Sequence, residues 1–241
     1  MNKKAVEPAT APTKPISPLV VVQFLVYALL PPALLLVLSG DYGWRMAWIN
    51  IGLNFVFIFG SRLFLLFTNP GVLLERAKSI SAKDAKRWDK PLLLFTGLIT
   101  PLLLVIICGL DHRWMWSGII PPAWQWVGLS LYTLGGILAI WAMLVNAFFS
   151  AAVRIQADRG HSVIQNGPYR IVRHPSYIGG ILGYLATPVM LNALWALIPA
   201  GLAAVIIILR TRREDLTLQE ELPGYRAYTQ RTRYRLLPGI W

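Results

Sequence analysis

Two polar stretches of an otherwise apolar chain hold most of its reactive side chains. The first, Arg154–Tyr177, reads RIQADRGHSVIQNGPYRIVRHPSY. The second, Arg210–Trp241, reads RTRREDLTLQEELPGYRAYTQRTRYRLLPGIW. Together they supply His161 and His174, Tyr169, Tyr177, Tyr225 and Tyr228, Arg173 and Arg210, and Glu214. These types suit the capture of a small polar molecule. Arginine offers a rigid fork to an anion, a tyrosine face attracts a cation, and histidine donates or accepts according to its tautomer. Simpler roles exist for many of them. Arginines that follow an apolar helix are expected on the cytoplasmic side, and tyrosines anchor helices at the interface. Glu214 resists that reading, because it is an acid in a basic segment beside the end of an apolar run. Glu220 and Glu221 read as solvated.

The element between the two stretches decides whether they meet. Tyr177–Leu209 is apolar over 33 residues, which at about 1.5 Å per residue would make a single helix of about 50 Å. That is too long for one crossing at ordinary tilt. Pro188, Asn192 and Pro199 punctuate it. The pattern predicts two short helices in a hairpin turning near Pro188–Asn192, with one long kinked helix as the alternative. A hairpin brings His174-Pro175-Ser176-Tyr177 beside Arg210-Thr211-Arg212-Arg213-Glu214 and so predicts a cationic, tyrosine-rich cavity.

Upstream, Leu19–Leu38, Trp44–Phe67, Pro91–Leu110 and Trp124–Phe149 are each long and apolar enough to span a bilayer. The predicted fold class is therefore all-α, a polytopic membrane helical bundle of four spans plus the C-terminal hairpin. Composition agrees, with 56% hydrophobic and 14% charged residues, too few charges to cover a soluble domain. With the N-terminus and hairpin ends on one side, that side holds 20 Lys and Arg and the other holds Arg45 and Arg113. This asymmetry predicts a cytoplasmic-facing site. It also explains the net charge of +12 without nucleic acid, and makes membrane lipids the expected partner. Residues 1–18 read as a disordered cytoplasmic tail, 19–145 as membrane-spanning helices and 146–241 as the functional core.

Other chemistries find no footing. Cys108 is the single cysteine, so neither an internal disulfide nor a CxxC metal site is available. No Walker loop, zinc-ligand pair or nucleophile elbow is present, and no metal is expected. Gly135-Gly136 reads as a helix-packing site. The loop 68–90 contains the turn signal Asn69-Pro70-Gly71 and a short interfacial helix, with no chemistry assigned. Arg62 is the one charge away from the ends of the four clear spans, and its stem can snorkel to the interface. A non-catalytic transporter subunit or scaffold, the competing class, calls for ionisable groups facing one another within the spans, and Arg62 alone does not supply them.

The run Gly167-Pro168-Tyr169-(x)3-Arg173-His174-Pro175-Ser176-Tyr177-x-Gly179, followed by Arg210-(x)3-Glu214 and Tyr225-x-x-Tyr228, resembles the isoprenylcysteine carboxyl methyltransferase family. Its wider superfamily includes phospholipid N-methyltransferases. The resemblance covers about Asn146 to Trp241. It implies S-adenosylmethionine (SAM) as methyl donor and a lipid-like or prenylated acceptor, while the short polar N-terminus and compact five-segment plan read as prokaryotic and predict an inner-membrane location. It also implies cofactor contacts at Gln156, His161, Ser162, Val163, Ile164, Tyr169, His174, Pro175, Ser176, Tyr177 and Glu214. Arg210 matches the acceptor-contacting arginine and, with Glu214, is the catalytic pair. The family's upstream glutamine falls on Gln156, two residues nearer His161 than expected, while Arg154 stands at the expected offset. In the eukaryotic members the segment after Gly179 is aromatic-rich, whereas here it reads Gly180-Ile181-Leu182-Gly183-Tyr184, so a different lipid group is expected. The implied reaction is O-methylation of the prenylcysteine carboxylate type. Alternatives are a phospholipid amine or a small lipophilic thiol or acid.

Overall fold

A computed structural model describes residues 18–78, 82 and 84–241. The tail expected over 1–18 therefore lies almost wholly outside the described residues. Eight helices make up the described chain: α1 Pro18–Ser39, α2 Arg45–Thr68, α3 Pro70–Lys78, α4 Asp89–Trp114, α5 Pro122–Val145, α6 Pro175–Met190, α7 Leu197–Glu221 and α8 Tyr225–Arg231. There is no β-strand among the described residues. Among the described residues, four helical stretches are long and apolar enough to cross a membrane: α2, α4, α5, and α7 with the 3₁₀ turn that leads into it. This is an integral membrane protein. Side chains such as Phe67, 79% exposed, cover surface that a bilayer wets with lipid.

The hairpin forms as expected. Helix α6 starts at Pro175, where a missing N–H costs nothing, and ends at Met190 just past Pro188. Asn192 then takes φ +55°, a left-handed conformation that asparagine tolerates after a helix. Its side chain fastens the turn to the α4–α5 loop. Oδ1 accepts the Ile120 N–H at 2.8 Å, and Nδ2 donates to the Gly118 carbonyl at 2.7 Å. Beneath the turn, Met190, Leu191, Ala193, Ala196 and Ala200 pack against Leu35, Leu104 and Cys108.

The return helix is not short. The continuous apolar run stops at Leu209, yet α7 continues to Glu221, about 18 Å farther at about 1.5 Å per residue. That extension carries Arg210 and Glu214 on a rigid element instead of a loop.

Glycines set the spacing between α5 and the hairpin. A Cβ on Gly179 would lie 2.4 Å from the Gly135 carbonyl oxygen, and one on Gly128 would lie 2.5 Å from the Met190 nitrogen. Close backbone approach is a main source of helix association in lipid, where apolar burial gives little drive. Gly136 is filled from the other side by Phe57 of α2, so both glycines of the pair are packing sites. Helices α2 and α4 each include a π-helical turn, at Val56–Gly60 and Phe95–Ile99. Within the second, the Thr96 carbonyl accepts the Tyr184 hydroxyl of α6, which helps satisfy backbone loosened by the wide turn.

Candidate functional site

Four pieces of chain meet around a cavity of about 100 Å³: the C-terminus of α5, the strap 146–174 with its two short 3₁₀ turns, the first turn of α6 and the extension of α7. Asn146, Phe148, His161, Tyr169, Arg173, His174, Ser176, Tyr177, Arg210 and Glu214 all line it. Arg210 and Glu214 stand four residues apart on α7 and so share a face. The Tyr177 hydroxyl donates to Glu214 Oε2. The Arg210 guanidinium lies 5.2 Å from the centroid of the Tyr177 ring, and the His174 and Tyr177 rings run parallel with centroids 5.7 Å apart. Tyr177 therefore offers the cavity its hydroxyl more than a bare ring face.

Three acid-centred clusters hold this arrangement. Asp89, at the start of α4 and wholly buried, accepts from Arg210 Nε at 2.6 Å and Nη2 at 3.0 Å, and from the Val153 N–H at 2.7 Å. Asp215, also wholly buried, accepts from Arg173 Nε at 2.7 Å and Nη2 at 3.0 Å, from Arg235 Nε at 2.8 Å, from Gln219 Nε2 at 2.8 Å and from the Tyr225 hydroxyl at 3.2 Å. His174 Nε2 stands 3.4 Å from it. Glu75 of α3 accepts from Arg154 Nε and Nη2, each at 2.8 Å. The Arg154 guanidinium holds the Glu75 carboxyl below its usual range, and Glu75 in turn pushes the arginine's proton affinity up. Asp84 and Asp158 reach the outer edge of Arg154 at 2.7 and 3.2 Å. Buried charges persist only when paired and hydrogen-bonded in this way.

The strap and the C-terminal residues close the remaining sides. Arg173 N–H donates to the Tyr234 carbonyl and His174 N–H to the Arg235 carbonyl, at 2.9 and 3.0 Å. Tyr228 donates its hydroxyl to the Tyr169 carbonyl at 2.6 Å, and burial pushes that hydroxyl's pKa up to about 12. Asn146 Nδ2 donates to the Tyr169 hydroxyl at 3.1 Å.

His161 is a neutral donor here. Its Nδ1 accepts the Gln156 N–H at 3.2 Å, which leaves the ring proton on Nε2. Burial, and then the nearby charges of Arg159 and Arg154, lower its pKa to about 4. The ring stacks on Phe148 with centroids 4.6 Å apart.

The residues singled out in the sequence divide into two sets. His161, Tyr169, His174, Ser176, Tyr177, Arg210 and Glu214 converge on the cavity. Gln156 is wholly buried, with Nε2 donating to the Phe148 carbonyl at 2.6 Å and Oε1 accepting from Arg159 at 2.5 Å. It shapes the strap, whereas Arg154 reaches the cavity wall. Val163 turns toward Leu222, Tyr225 and Tyr228, Ser162 is exposed and Ile164 half-buried, and Pro175 opens α6. Asp89, Asp215 and Glu75 were missed, and the loop 68–90, given no chemistry in sequence, supplies two of these acids. An available signal for Asp215 was the one used for Glu214, an acid within a basic run. For Asp89 it was an acid at the threshold of an apolar helix.

Residues 123–222 match the family model described as phospholipid methyltransferase. The chain is 32% identical over 89 residues to protein-S-isoprenylcysteine O-methyltransferase B of Arabidopsis thaliana, covering 36% of this chain and 41% of that protein. It is 30% identical over 171 residues to methanethiol S-methyltransferase 2 of Bradyrhizobium diazoefficiens, covering 64% and 65%. Over 110 residues it is 30% identical to the cobalt-zinc-cadmium resistance protein CzcN of Cupriavidus metallidurans, covering 44% and 49%. In each case the matched stretch spans less than two thirds of the relative's own length.

Proposed function

Residues 123–222 match the family model of the phospholipid methyltransferases, and from that match we propose that this protein is a SAM-dependent membrane methyltransferase acting on a lipophilic acceptor. The observation that carries the reading is the convergence of Glu214, Tyr177, His161 and Arg210 on one cavity, built from both ends of a membrane hairpin. The distribution of Lys and Arg between the two sides favours a site facing the cytoplasm, and the membrane proposed is a prokaryotic inner one.

The residues present suit SAM. When bound, SAM supplies a methyl group made electrophilic by its sulfonium. The Glu214 carboxylate, steadied by the Tyr177 hydroxyl, pairs with the ammonium or the ribose hydroxyls. The His161 Nε2–H donates to the carboxylate or to an adenine nitrogen, and Phe148 holds that imidazole in plane. Tyr169, Ser176 and His174 complete the wall. Arg210 faces the acceptor side.

Methyl transfer is an in-line displacement, so the work of these side chains is alignment of two reactants and exclusion of water. A carboxylate acceptor needs no base. A thiol or amine must lose a proton, for which Glu214 is the residue in place. Three acceptor chemistries thus remain in play, the prenylcysteine carboxylate, a phospholipid amine and a small lipophilic thiol. The last gains weight because the methanethiol S-methyltransferase relative matches the longest stretch of this chain among those described.

The test is incubation of purified protein with methyl-labelled SAM and, in parallel, methanethiol, an S-farnesylated N-acetylcysteine and a membrane lipid extract. Label should appear in a lipophilic product. Base-labile label identifies an ester, and base-stable label an amine or thioether. Absence of label from all three overturns the reading.

A further inference from the structure

The guanidinium of Arg210 is already largely spent. It has five N–H donors. Nε–H goes to Asp89 Oδ1 at 2.6 Å, and the two hydrogens of Nη2 go to Asp89 Oδ2 at 3.0 Å and the Ala151 carbonyl at 2.7 Å. Only Nη1 is left to meet a ligand. The side-on fork that would grip a carboxylate with two parallel hydrogen bonds is occupied by a carboxylate of the protein itself. Asp89 is wholly buried and Arg210 is 7% exposed, so the pair cancels at short range with little water to screen it. Asp89 also lies outside the stretch matched to the family, at the head of a different membrane helix, and it grips the strap through the Val153 N–H.

Building on the methyltransferase reading above, we propose that Asp89 is a positioning residue that sets acceptor specificity. It holds Arg210 with one nitrogen free and cancels its charge, so the site takes an acceptor that is uncharged where it meets Arg210. A carboxylate placed there would meet a neutral pair and would have to displace Asp89 to gain the bidentate contact. A neutral thiol or hydroxyl instead accepts a single hydrogen bond from Nη1.

The test compares wild type, Asp89→Asn and Asp89→Glu in nanodiscs of zwitterionic lipid. SAM affinity, KM and kcat with methanethiol, and equilibrium binding of hexanoate as a plain carboxylate probe are measured on each. Asp89→Asn should keep SAM affinity, raise the methanethiol KM, and bind hexanoate at least about tenfold more tightly, because an arginine freed of its counterion seeks another. Asp89→Glu should restore weak hexanoate binding. Equal hexanoate affinity in wild type and Asp89→Asn overturns the proposal, as does parallel loss of SAM affinity and acceptor parameters, which marks a purely structural residue. Should Asp89→Asn fail to fold, Asp89→Glu decides: a raised acceptor KM with unchanged SAM affinity supports the role, and a parallel loss of both overturns it. Failure of wild type to bind SAM would instead overturn the methyltransferase reading, while the hexanoate comparison still reports on the charge pairing.

Discussion

Arg173 and Asp215 are joined by two hydrogen bonds, at 2.7 and 3.0 Å, with side chains 5% and 0% exposed. The pair ties the strap that leads into α6 to the helix that leaves the hairpin. Arg235 joins the same carboxylate from the C-terminal side. The strap, the return helix and the C-terminal segment thus share one buried anion.

Replacing Asp215 by Asn leaves two arginines without their counterion. Breaking a buried pair from one side costs about 3–5 kcal/mol. Thermal unfolding in detergent should show a large drop in Tm for Asp215→Asn. Glu221→Gln, which breaks a more exposed pair with Lys86, should move Tm little.

Helix spacing gives a second test. A methyl group on Gly179 would sit 2.4 Å from the Gly135 carbonyl and 2.9 Å from the Ala139 Cβ, and neither backbone can yield without moving the other helix. Gly179→Ala should destabilise by about 1–3 kcal/mol and lower the retained fold in detergent. Gly180→Ala, whose nearest neighbour is Ile207 Cδ1 at 3.9 Å, is the matched control and should be near neutral.

His161 gives the site a pH dependence of definite sign. Its pKa falls from 6.5 to about 4 in the folded protein, with burial as the main cause. Above pH 6.5 it is neutral folded or unfolded and nothing is lost. As pH drops from about 6.5 toward about 4, the unfolded chain takes up a proton that the folded one resists, so stability falls. Melting curves from pH 7 to pH 5 should show this slope in wild type and a shallower one in His161→Gln.

The spans expected over 44–67, 91–110 and 124–149 and the hairpin were legible because they follow from hydrophobic length and from a turn signal at Pro188 and Asn192, both local properties of the chain. The convergence of His174–Tyr177 with Arg210–Glu214 followed from topology. The counterions were not legible. Whether Asp89 is solvated or wholly buried depends on which cation the fold sets against it, and Arg210 is 121 residues away in sequence. Adjacent residues on a helix point about 100° apart, so Glu214 faces the cavity while Asp215 faces Arg173, a division no spacing announces. The packing of Val163 was not legible either, since its match to a cofactor segment carried no information about the Tyr225 and Tyr228 rings beside it.

The most direct measurement is equilibrium binding of SAM to purified wild-type protein and to Glu214→Gln, which keeps the shape of the side chain and removes its charge. Wild type should bind, and Glu214→Gln should bind at least about tenfold more weakly, the cost of losing a charge-assisted hydrogen bond of about 1.5–3 kcal/mol. Equal affinity in the two proteins, or no binding by wild type, would contradict a SAM site centred on Glu214.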